Sequence, residues 1–185
     1  MTIQVLQTER LGLRHLESAD APFIVELLNE PSWLKYIGDK AVRTVRDAQR
    51  YIEDGPVAMY ARLGFGLYLV ELKERSESLG ICGLIKRDTL PDVDLGFALL
   101  SRFWGNGYAY ESAAAVVSYA KRHLRMDRIV AITTPTNVAS GKLLLKLGFA
   151  LEHSKFPIGG DDLMLYAIAP PASTRGSNDG KYGYG

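Results

Sequence analysis

Two closely spaced glycines mark the segment of the chain that is best suited to bind an anion. Gly105 and Gly107 lie in the segment 102–109, between a predicted strand and the helix that has the clearest apolar face. Backbone N–H groups at a helix N-terminus attract phosphate, and glycine lets a ligand approach the backbone closely. The same two glycines could instead form a tight turn that needs positive φ angles. The spacing alone leaves both interpretations open.

Two common phosphate-binding motifs do not fit this chain. A dinucleotide fingerprint requires a third glycine at position 110, where the chain has Tyr110, and it normally lies in the first crossover of the fold. A P-loop requires Gly-Lys followed by Ser or Thr, but Gly141 and Lys142 are followed by Leu143. A phosphate ligand of the glycine segment is therefore expected to be held in another way.

Other reactive side chains are few and scattered. His15, His123 and His153 stand alone, and the single cysteine, Cys82, cannot form an intrachain disulfide. This spacing is not typical of a metal site, so we expect no metal ion. No serine or cysteine lies in a nucleophile-elbow motif, which argues against hydrolase chemistry.

Hydrophobic periodicity predicts the elements that position these residues. In chain order the patterns predict a strand at 8–16, a helix from 18 that Asn29 and Pro31 close, a helix over 44–63 that Gly55-Pro56 splits, strands at 66–73, 79–87 and 93–100, a helix over 108–124, a strand at 128–133, a helix over 138–147, and strands at 150–155 and 162–168. The expected fold class is α/β (α+β), with a mixed central sheet of about six to seven strands flanked by about four helices. The glycine segment opens its one clear parallel crossover.

Length and composition favour a single domain. At about 150 residues per domain, the 185 residues predict one domain over 1–169, and residues 170–185 lack apolar periodicity and are interpreted as a flexible low-complexity tail. The formal net charge of +1 provides no long-range attraction to nucleic acid or to a membrane. No apolar run reaches the length of a membrane span and no secretion signal opens the chain, so we expect a cytoplasmic protein.

Several ordered blocks resemble the GNAT superfamily of acetyl-coenzyme A (acetyl-CoA) dependent N-acetyltransferases. The blocks are Asp94-Leu95-Gly96-Phe97-Ala98-Leu99, the segment 103–112, Thr136-Asn137-Val138-Ala139-Ser140 and Lys146-Leu147-Gly148-Phe149. The opening Thr8-Glu9-Arg10-Leu11-Gly12-Leu13-Arg14 resembles the branch that includes the ribosomal-protein N-terminal acetyltransferases. The likeness covers roughly residues 8–168 and implies a GNAT-like fold, acetyl-CoA as cosubstrate and no metal.

The resemblance also implies which residues bind the coenzyme. The superfamily's pyrophosphate pattern falls on the segment 104–109, where Gly107 and Ala109 match and Trp104 stands in place of Gln or Arg. A cradle of backbone amides does not depend on that side chain. The implied cofactor-binding residues are Phe97, Ala98, Leu99, Trp104, Gly105, Asn106, Gly107, Tyr108, Ala109 and Asn137, of which the first three pair with pantetheine as an added strand would.

Asn137 and Ser140 are the candidate catalytic residues of the second helix at the site. They lie three residues apart and share a helix face. The resemblance implies that Asn137 steadies the cofactor and that Ser140 protonates the departing thiolate. The alternative is that the two side chains only cap the helix over 138–147.

The general base and the acceptor pocket are less sharply defined. Asp94 and Glu111 are the candidate bases, acting directly or through water. The alternatives are a solvated strand position for Asp94 and, for Glu111, a first-turn carboxylate that the helix dipole favours. The resemblance implies that Trp33 and Tyr36 are substrate-binding residues beside the acceptor, whereas packing is their alternative role.

The favoured function is acetyl transfer from acetyl-CoA to a primary amine by direct attack in a ternary complex. An α-amine with a pKa of ~7.7 to 8.0 is about one tenth neutral at pH 7, far more than a lysine at ~10.4, so a peptide or protein N-terminus is the expected acceptor. The alternatives are a coenzyme A binding module without turnover, an acetyltransferase of a polyamine, aminoglycoside or amino acid, and a nucleotide-phosphate binder such as a small kinase. A monomer and a homodimer both remain open.

Overall fold

One mixed β-sheet organises the part of the chain that the computed structural model describes, residues 3–169. Its eight strands have the order β1-β2-β3-β4-β5-β6-β8-β7. The bounds are β1 Gln4–Gln7, β2 Leu11–Arg14, β3 Leu67–Leu72, β4 Glu77–Lys86, β5 Val93–Leu99, β6 Ile129–Thr133, β7 Ala150–Ile158 and β8 Asp161–Ile168. Neighbouring strands are antiparallel except β5 and β6. The predicted tail, 170–185, lies outside the described residues.

Helices cover both faces of the sheet. Within residues 3–169 the α-helices are α1 Ala21–Leu28, α2 Pro31–Tyr36, α3 Val45–Ile52, α4 Ala58–Leu63, α5 Tyr108–Arg122 and α6 Val138–Lys146. A wider helical turn over Glu53–Val57 joins α3 to α4, because Pro56 lacks the N–H that a regular helix needs. No helix in this part of the chain is long and apolar enough to cross a membrane.

The fold class is confirmed, while the element count is higher than predicted. The strand predicted over 8–16 is the shorter β2, because Thr8 closes a turn before it: its backbone N–H donates to Leu11 O at 2.9 Å and its Oγ1 accepts from Leu11 N at 2.9 Å. Sequence periodicity missed β1, a four-residue edge strand with glutamine at both ends. It also missed α2, since Pro31 begins that helix instead of only ending the previous one.

The core has two layers, one on each face of the sheet. Tyr68 and Val70 of β3 point to the face that α5 covers, whereas Leu69 points to the face that α1 and α3 cover. This alternation is the side-chain period of an extended strand. Ala113, Val116 and Ala120 of α5 are fully buried against the first face.

The two parallel strands at the centre of the sheet separate. β5 and β6 share a single registered pair, Asp94 with Val130, whereas β4 and β5 are paired from Gly80 with Leu99 to Lys86 with Val93. Beyond Asp94, the edge of β5 that faces β6 therefore has no strand partner among residues 3–169. The resulting crevice opens at the carboxyl ends of both strands, where α5 and α6 begin.

Candidate active site

The crevice widens into a pocket of ≈ 550 Å³ between β5, α2 and the first turns of α5 and α6. Most of the predicted site residues line it: Trp33, Tyr36, Phe97, Ala98, Leu99, Trp104, Gly105, Gly107, Tyr108, Ala109, Asn137 and Ser140. Two predicted residues, Asn106 and Asp94, do not. The fold thus brings together three segments that are far apart in the sequence.

The first turn of α5 presents free hydrogen-bond donors. Gly107, at φ +80°, is the N-cap residue and offers no side-chain cap. Within residues 3–169, the backbone N–H groups of residues 105–110 donate no hydrogen bond. A Cβ atom at Gly105, where φ is +79°, would meet nothing within 4 Å, so the space in front of this backbone is open. Such a helix end is suited to a phosphate group.

Side chains of the same loop hold its shape. The indole Nε1 of Trp104 donates to Leu99 O at 2.9 Å, and the amide of Asn106 donates to Phe103 O and Trp104 O, each at 3.1 Å. Trp104 thereby ties the loop to the end of β5, which gives the tryptophan a role that differs from that of a phosphate ligand. Asn106 fixes the loop from outside the pocket.

α6 begins in the opposite way, with its N-terminus capped. The side-chain Oδ1 of Asn137 accepts a hydrogen bond from the Ser140 N–H at 3.2 Å. Asn137, and not Ser140, is therefore the capping residue. The Ser140 hydroxyl lines the pocket and makes no hydrogen bond within residues 3–169. The capping role is taken by its neighbour, which leaves this hydroxyl available for a ligand.

Asp94 lies where β5 and β6 separate. It is 1% exposed, so the solvated position considered from the sequence is wrong. Arg87 Nε donates to its Oδ2 at 2.7 Å, and its buried Oδ1 has no partner within residues 3–169. Burial raises the pKa of Asp94 to about 6, against the opposing effect of Arg87. The carboxylate is thus a stronger base than an exposed aspartate, although it lies outside the pocket lining.

Glu111, the other candidate base, is occupied elsewhere. Its carboxylate accepts hydrogen bonds from Thr8 Oγ1 and from the backbone N–H and side chain of Arg10. Burial alone would raise the pKa of Glu111, but these hydrogen bonds outweigh it and lower the pKa. Glu111 does not line the pocket. This geometry does not favour it as a base.

The other end of the pocket is formed by α2. Trp33 is 5% exposed, and its indole donates to Gly38 O at 3.1 Å, so most of this side chain packs in the core. Tyr36 is half-buried, and Ile37 next to it is an exposed apolar residue at the pocket rim. These side chains give the α2 end an apolar character.

Glu30 is a pocket residue that the sequence did not reveal. Among the lining residues of the described chain it is the only acidic or basic one. It precedes α2, and its carboxylate accepts from Ser32 Oγ at 3.1 Å and from Ser101 Oγ at 3.2 Å. Its position before Pro31 marks a helix start, but no local pattern shows that β5 would bring Ser101 to it. It supplies a negative charge near the apolar end.

No group of three His, Cys, Asp or Glu side chains in residues 3–169 could hold a metal ion.

Comparison with known families defines the class of the protein. The model of the acetyltransferase (GNAT) domain matches residues 10–150, most of the chain. The chain belongs to this family, and it is an N-acetyltransferase by its class.

Named relatives and a solved structure agree with this assignment. The chain is 29% identical over 150 residues to the uncharacterized N-acetyltransferase YoaA of Bacillus subtilis (strain 168), covering 80% of this chain and 84% of the relative. It is 31% identical over 162 residues to the ribosomal protein uS5-alanine N-acetyltransferase of Escherichia coli (strain K12), covering 80% and 78%. An acetyltransferase structure from Agrobacterium tumefaciens superposes with a TM-score of 0.78 at 26% identity, covering 91% and 95%.

Proposed function

We propose that this chain transfers the acetyl group of acetyl-CoA to the α-amine of a peptide or protein N-terminus, by direct attack in a ternary complex. The observation that carries the proposal is the pairing of two features in one pocket. In the described part of the chain, the N–H groups of the uncapped first turn of α5 and the Ser140 hydroxyl of α6 make no hydrogen bond, and both lie at the pocket. The first feature suits a diphosphate and the second suits a departing thiolate.

The crevice fits the rest of the coenzyme. Within residues 3–169, the edge of β5 at Phe97 and Leu99 has no strand partner, so an extended pantetheine arm can pair with its backbone. The backbone groups of Ala98 face β4 and Trp104 occupies the Leu99 carbonyl, which leaves the N–H and carbonyl of Phe97 and the N–H of Leu99 for that pairing. The diphosphate then meets the backbone of residues 105–109. The coenzyme supplies a thioester, whose thiol has a pKa near ~8.5 and leaves readily.

The side chains divide the proton transfers between them. The acceptor nitrogen attacks the thioester carbonyl carbon, a C–N bond forms and the C–S bond breaks. The proton that nitrogen loses passes through water to Asp94, and the departing sulfur takes a proton from Ser140 Oγ. Ser140 regains a proton from solvent and Asp94 releases one to it. The side-chain Oδ1 of Asn137 caps α6, and its Nδ2 steadies the cofactor.

Three observations support an α-amine as the acceptor. The α2 end of the pocket combines the apolar side chains of Trp33 and Tyr36 with the single carboxylate of Glu30, which suits an ammonium group at the end of a peptide. No strong base lines the pocket, and an α-amine needs less help than a lysine. The relative from Escherichia coli is named for an alanine of a ribosomal protein.

The test compares acceptors that differ only in the position of the amine. Short peptides with a free N-terminus, the same peptides blocked at the N-terminus but carrying lysine, and spermidine are incubated with acetyl-CoA at pH 7 and pH 9. Mass spectrometry should find acetylation of the free N-terminus at pH 7. Modification of only the blocked, lysine-bearing peptides at pH 7 would overturn the proposed acceptor, and modification of spermidine alone would favour a small-molecule enzyme.

A further inference from the structure

The turn between β1 and β2 is bonded to the start of α5. The Glu111 carboxylate accepts from Thr8 Oγ1, from the Arg10 backbone N–H at 3.0 Å and from Arg10 Nε at 2.7 Å. Arg10 Nη1 donates to the backbone oxygen of Asn106 at 3.0 Å. Two segments a hundred residues apart are therefore joined at the loop that precedes the helix.

Arg10 also contacts the two residues that follow Asn106. Its guanidinium lies 4.6 Å from the centre of the Tyr108 ring, and its Nη2 would be 3.5 Å from a Cβ atom at Gly107. The side chain is 44% exposed, so it lies along the surface of the loop and does not fill a core position. Arg10 is thus in contact with three consecutive residues of the loop.

The hydrogen bond to Asn106 O determines the direction of the next N–H group. In a trans peptide the carbonyl and the following N–H point in opposite directions. Because Arg10 holds the Asn106 carbonyl, the Gly107 N–H is turned away from Arg10. That N–H has no partner within residues 3–169, and Gly107 lines the pocket.

We propose that Arg10 and Glu111 are positioning residues that aim the Gly107 N–H at the diphosphate of the acetyl donor. Glu111 fixes the guanidinium, and the guanidinium fixes the peptide plane. The inference rests on the proposed function, since it concerns the same coenzyme site. It gives Glu111 a role in donor selection and not in proton transfer, and it makes the β1–β2 turn part of the donor site.

An electrostatic role would have the opposite consequence. Arg10 and Glu111 neutralise each other at 2.6 Å, so the pair contributes little net charge to an anion nearby. Glu111→Gln removes a negative charge next to the phosphate site. If the charge of the pair were what matters, this variant would bind coenzyme A more tightly. If positioning matters, it binds more weakly.

The experiment uses two donors, one with and one without the diphosphate and the phosphoadenosine attached to it. Acetyl-CoA carries them and S-acetylpantetheine does not. We expect Glu111→Gln to raise KM for acetyl-CoA about five- to twentyfold, at and below the lower end of the cost of a lost charged hydrogen bond, because the pair is partly exposed. KM for S-acetylpantetheine should stay within about twofold. Calorimetry with coenzyme A should show the same weakening without turnover.

A second variant and a control keep the result interpretable. Arg10→Lys keeps the charge but cannot reach Asn106 and Glu111 with a planar fork, so it should show the same selective loss. Arg43→Gln breaks an exposed pair with Asp39 away from the pocket and should change neither KM.

Three results would overturn the inference: equal loss with both donors, unchanged affinity for coenzyme A in both variants, or tighter binding in Glu111→Gln. Failure of the proposed function is a separate observation, because the wild-type chain would then acetylate no amine with either donor.

Discussion

Two helices begin at the same pocket, and they begin in different ways. The N-cap of α5 is Gly107, which has a left-handed backbone and no side-chain cap, so the first N–H groups of α5 make no hydrogen bond within residues 3–169. α6 starts at Asn137, whose side chain bonds the Ser140 N–H. A helix leaves four N–H groups unpaired unless a cap or a ligand takes them.

The difference indicates two roles: the start of α5 binds a ligand, and the start of α6 positions a side chain. The start of α5 keeps its donors for a ligand, whereas the start of α6 uses a side chain to satisfy a donor and to hold a hydroxyl in the pocket. A side chain added to the first end should therefore block binding, while one removed from the second should affect catalysis or stability. The predictions below test this division.

A carboxylate placed at the uncapped end should produce the largest effect. Gly105→Asp adds a side chain in the open space in front of this backbone and a negative charge beside the proposed diphosphate site. Two like charges about 4 Å apart repel by about 4 kcal/mol at an effective dielectric constant of ~20. We expect affinity for acetyl-CoA to fall at least about a hundredfold in calorimetry.

A matched control separates binding from folding in that experiment. Gly64 has a similar backbone, at φ +75°, with open space in front of it, and it ends α4 away from the pocket. Gly64→Asp should suffer the same backbone strain and keep full affinity. Unchanged affinity in Gly105→Asp would mean that the phosphate cradle lies elsewhere.

Removing the hydroxyl at the capped end should slow turnover without weakening donor binding. Ser140→Ala takes away the proton donor for the thiolate, and general acids contribute ~10² to 10⁴ in rate. We expect about a hundredfold lower kcat, because the thiol is a good leaving group. Affinity for acetyl-CoA and the melting temperature should be unchanged, since Asn137 provides the cap. Wild-type turnover with a lower melting temperature would reverse the assignment.

A pH profile of the rate tests whether Asp94 acts as the base, because the groups at the two helix ends do not titrate. Neither backbone N–H groups nor a serine titrate near neutral pH, so a proton-linked loss of rate must come from another group. Burial raises the pKa of Asp94 to about 6, so Asp94 is ionised above that pH and protonated below it. Below pH 6, log kcat/KM should fall by about two per pH unit, one from Asp94 and one from the acceptor amine.

The corresponding variant should remove one of those two dependences. Asp94→Asn cannot accept a proton, so its slope below pH 6 should be about one per unit. Wild-type and variant profiles with the same slope would mean that Asp94 is not the base.

The smallest effect is expected from the capping residue itself. Asn137→Ala should destabilise the fold by ~1 kcal/mol, the usual contribution of an N-cap. For a chain of this size, that lowers the melting temperature by about 2 to 4 °C. Asn137→Asp keeps the capping oxygen and should restore the melting temperature. Full loss of stability in Asn137→Asp would show that Oδ1 is not what holds the helix.

The sequence predicted local elements and local ligands better than it predicted long-range partners. The glycine segment, α5 and the order of β5, α5 and β6 follow from spacing and periodicity. The sequence identified Asn137 as a possible cap. Only the structure shows that Asn137 bonds the Ser140 N–H, so that the cap does not use the Ser140 hydroxyl.

Long-range contacts had no local signal. Asp94 is buried where β5 pairs with β6 and where Arg87 bonds its carboxylate, and no alternation pattern encodes these partners. Glu111 was considered as a base because its position in the first turn of a helix is visible in the sequence, whereas its partners Thr8 and Arg10 come from the other end of the chain. Glu30 lines the pocket and accepts a hydrogen bond from Ser101, which is seventy-one residues away in the sequence.

One measurement tests the central claim that this pocket transfers an acetyl group and does not merely bind coenzyme A. Wild-type protein is mixed with acetyl-CoA and a short peptide that has a free N-terminal alanine, and released thiol and acetylated peptide are counted together. We expect one thiol for each acetylated peptide and no thiol release above background without an acceptor. Binding of acetyl-CoA with no acceptor-dependent thiol release from peptides, polyamines, aminoglycosides or amino acids would contradict the claim and identify a binding module.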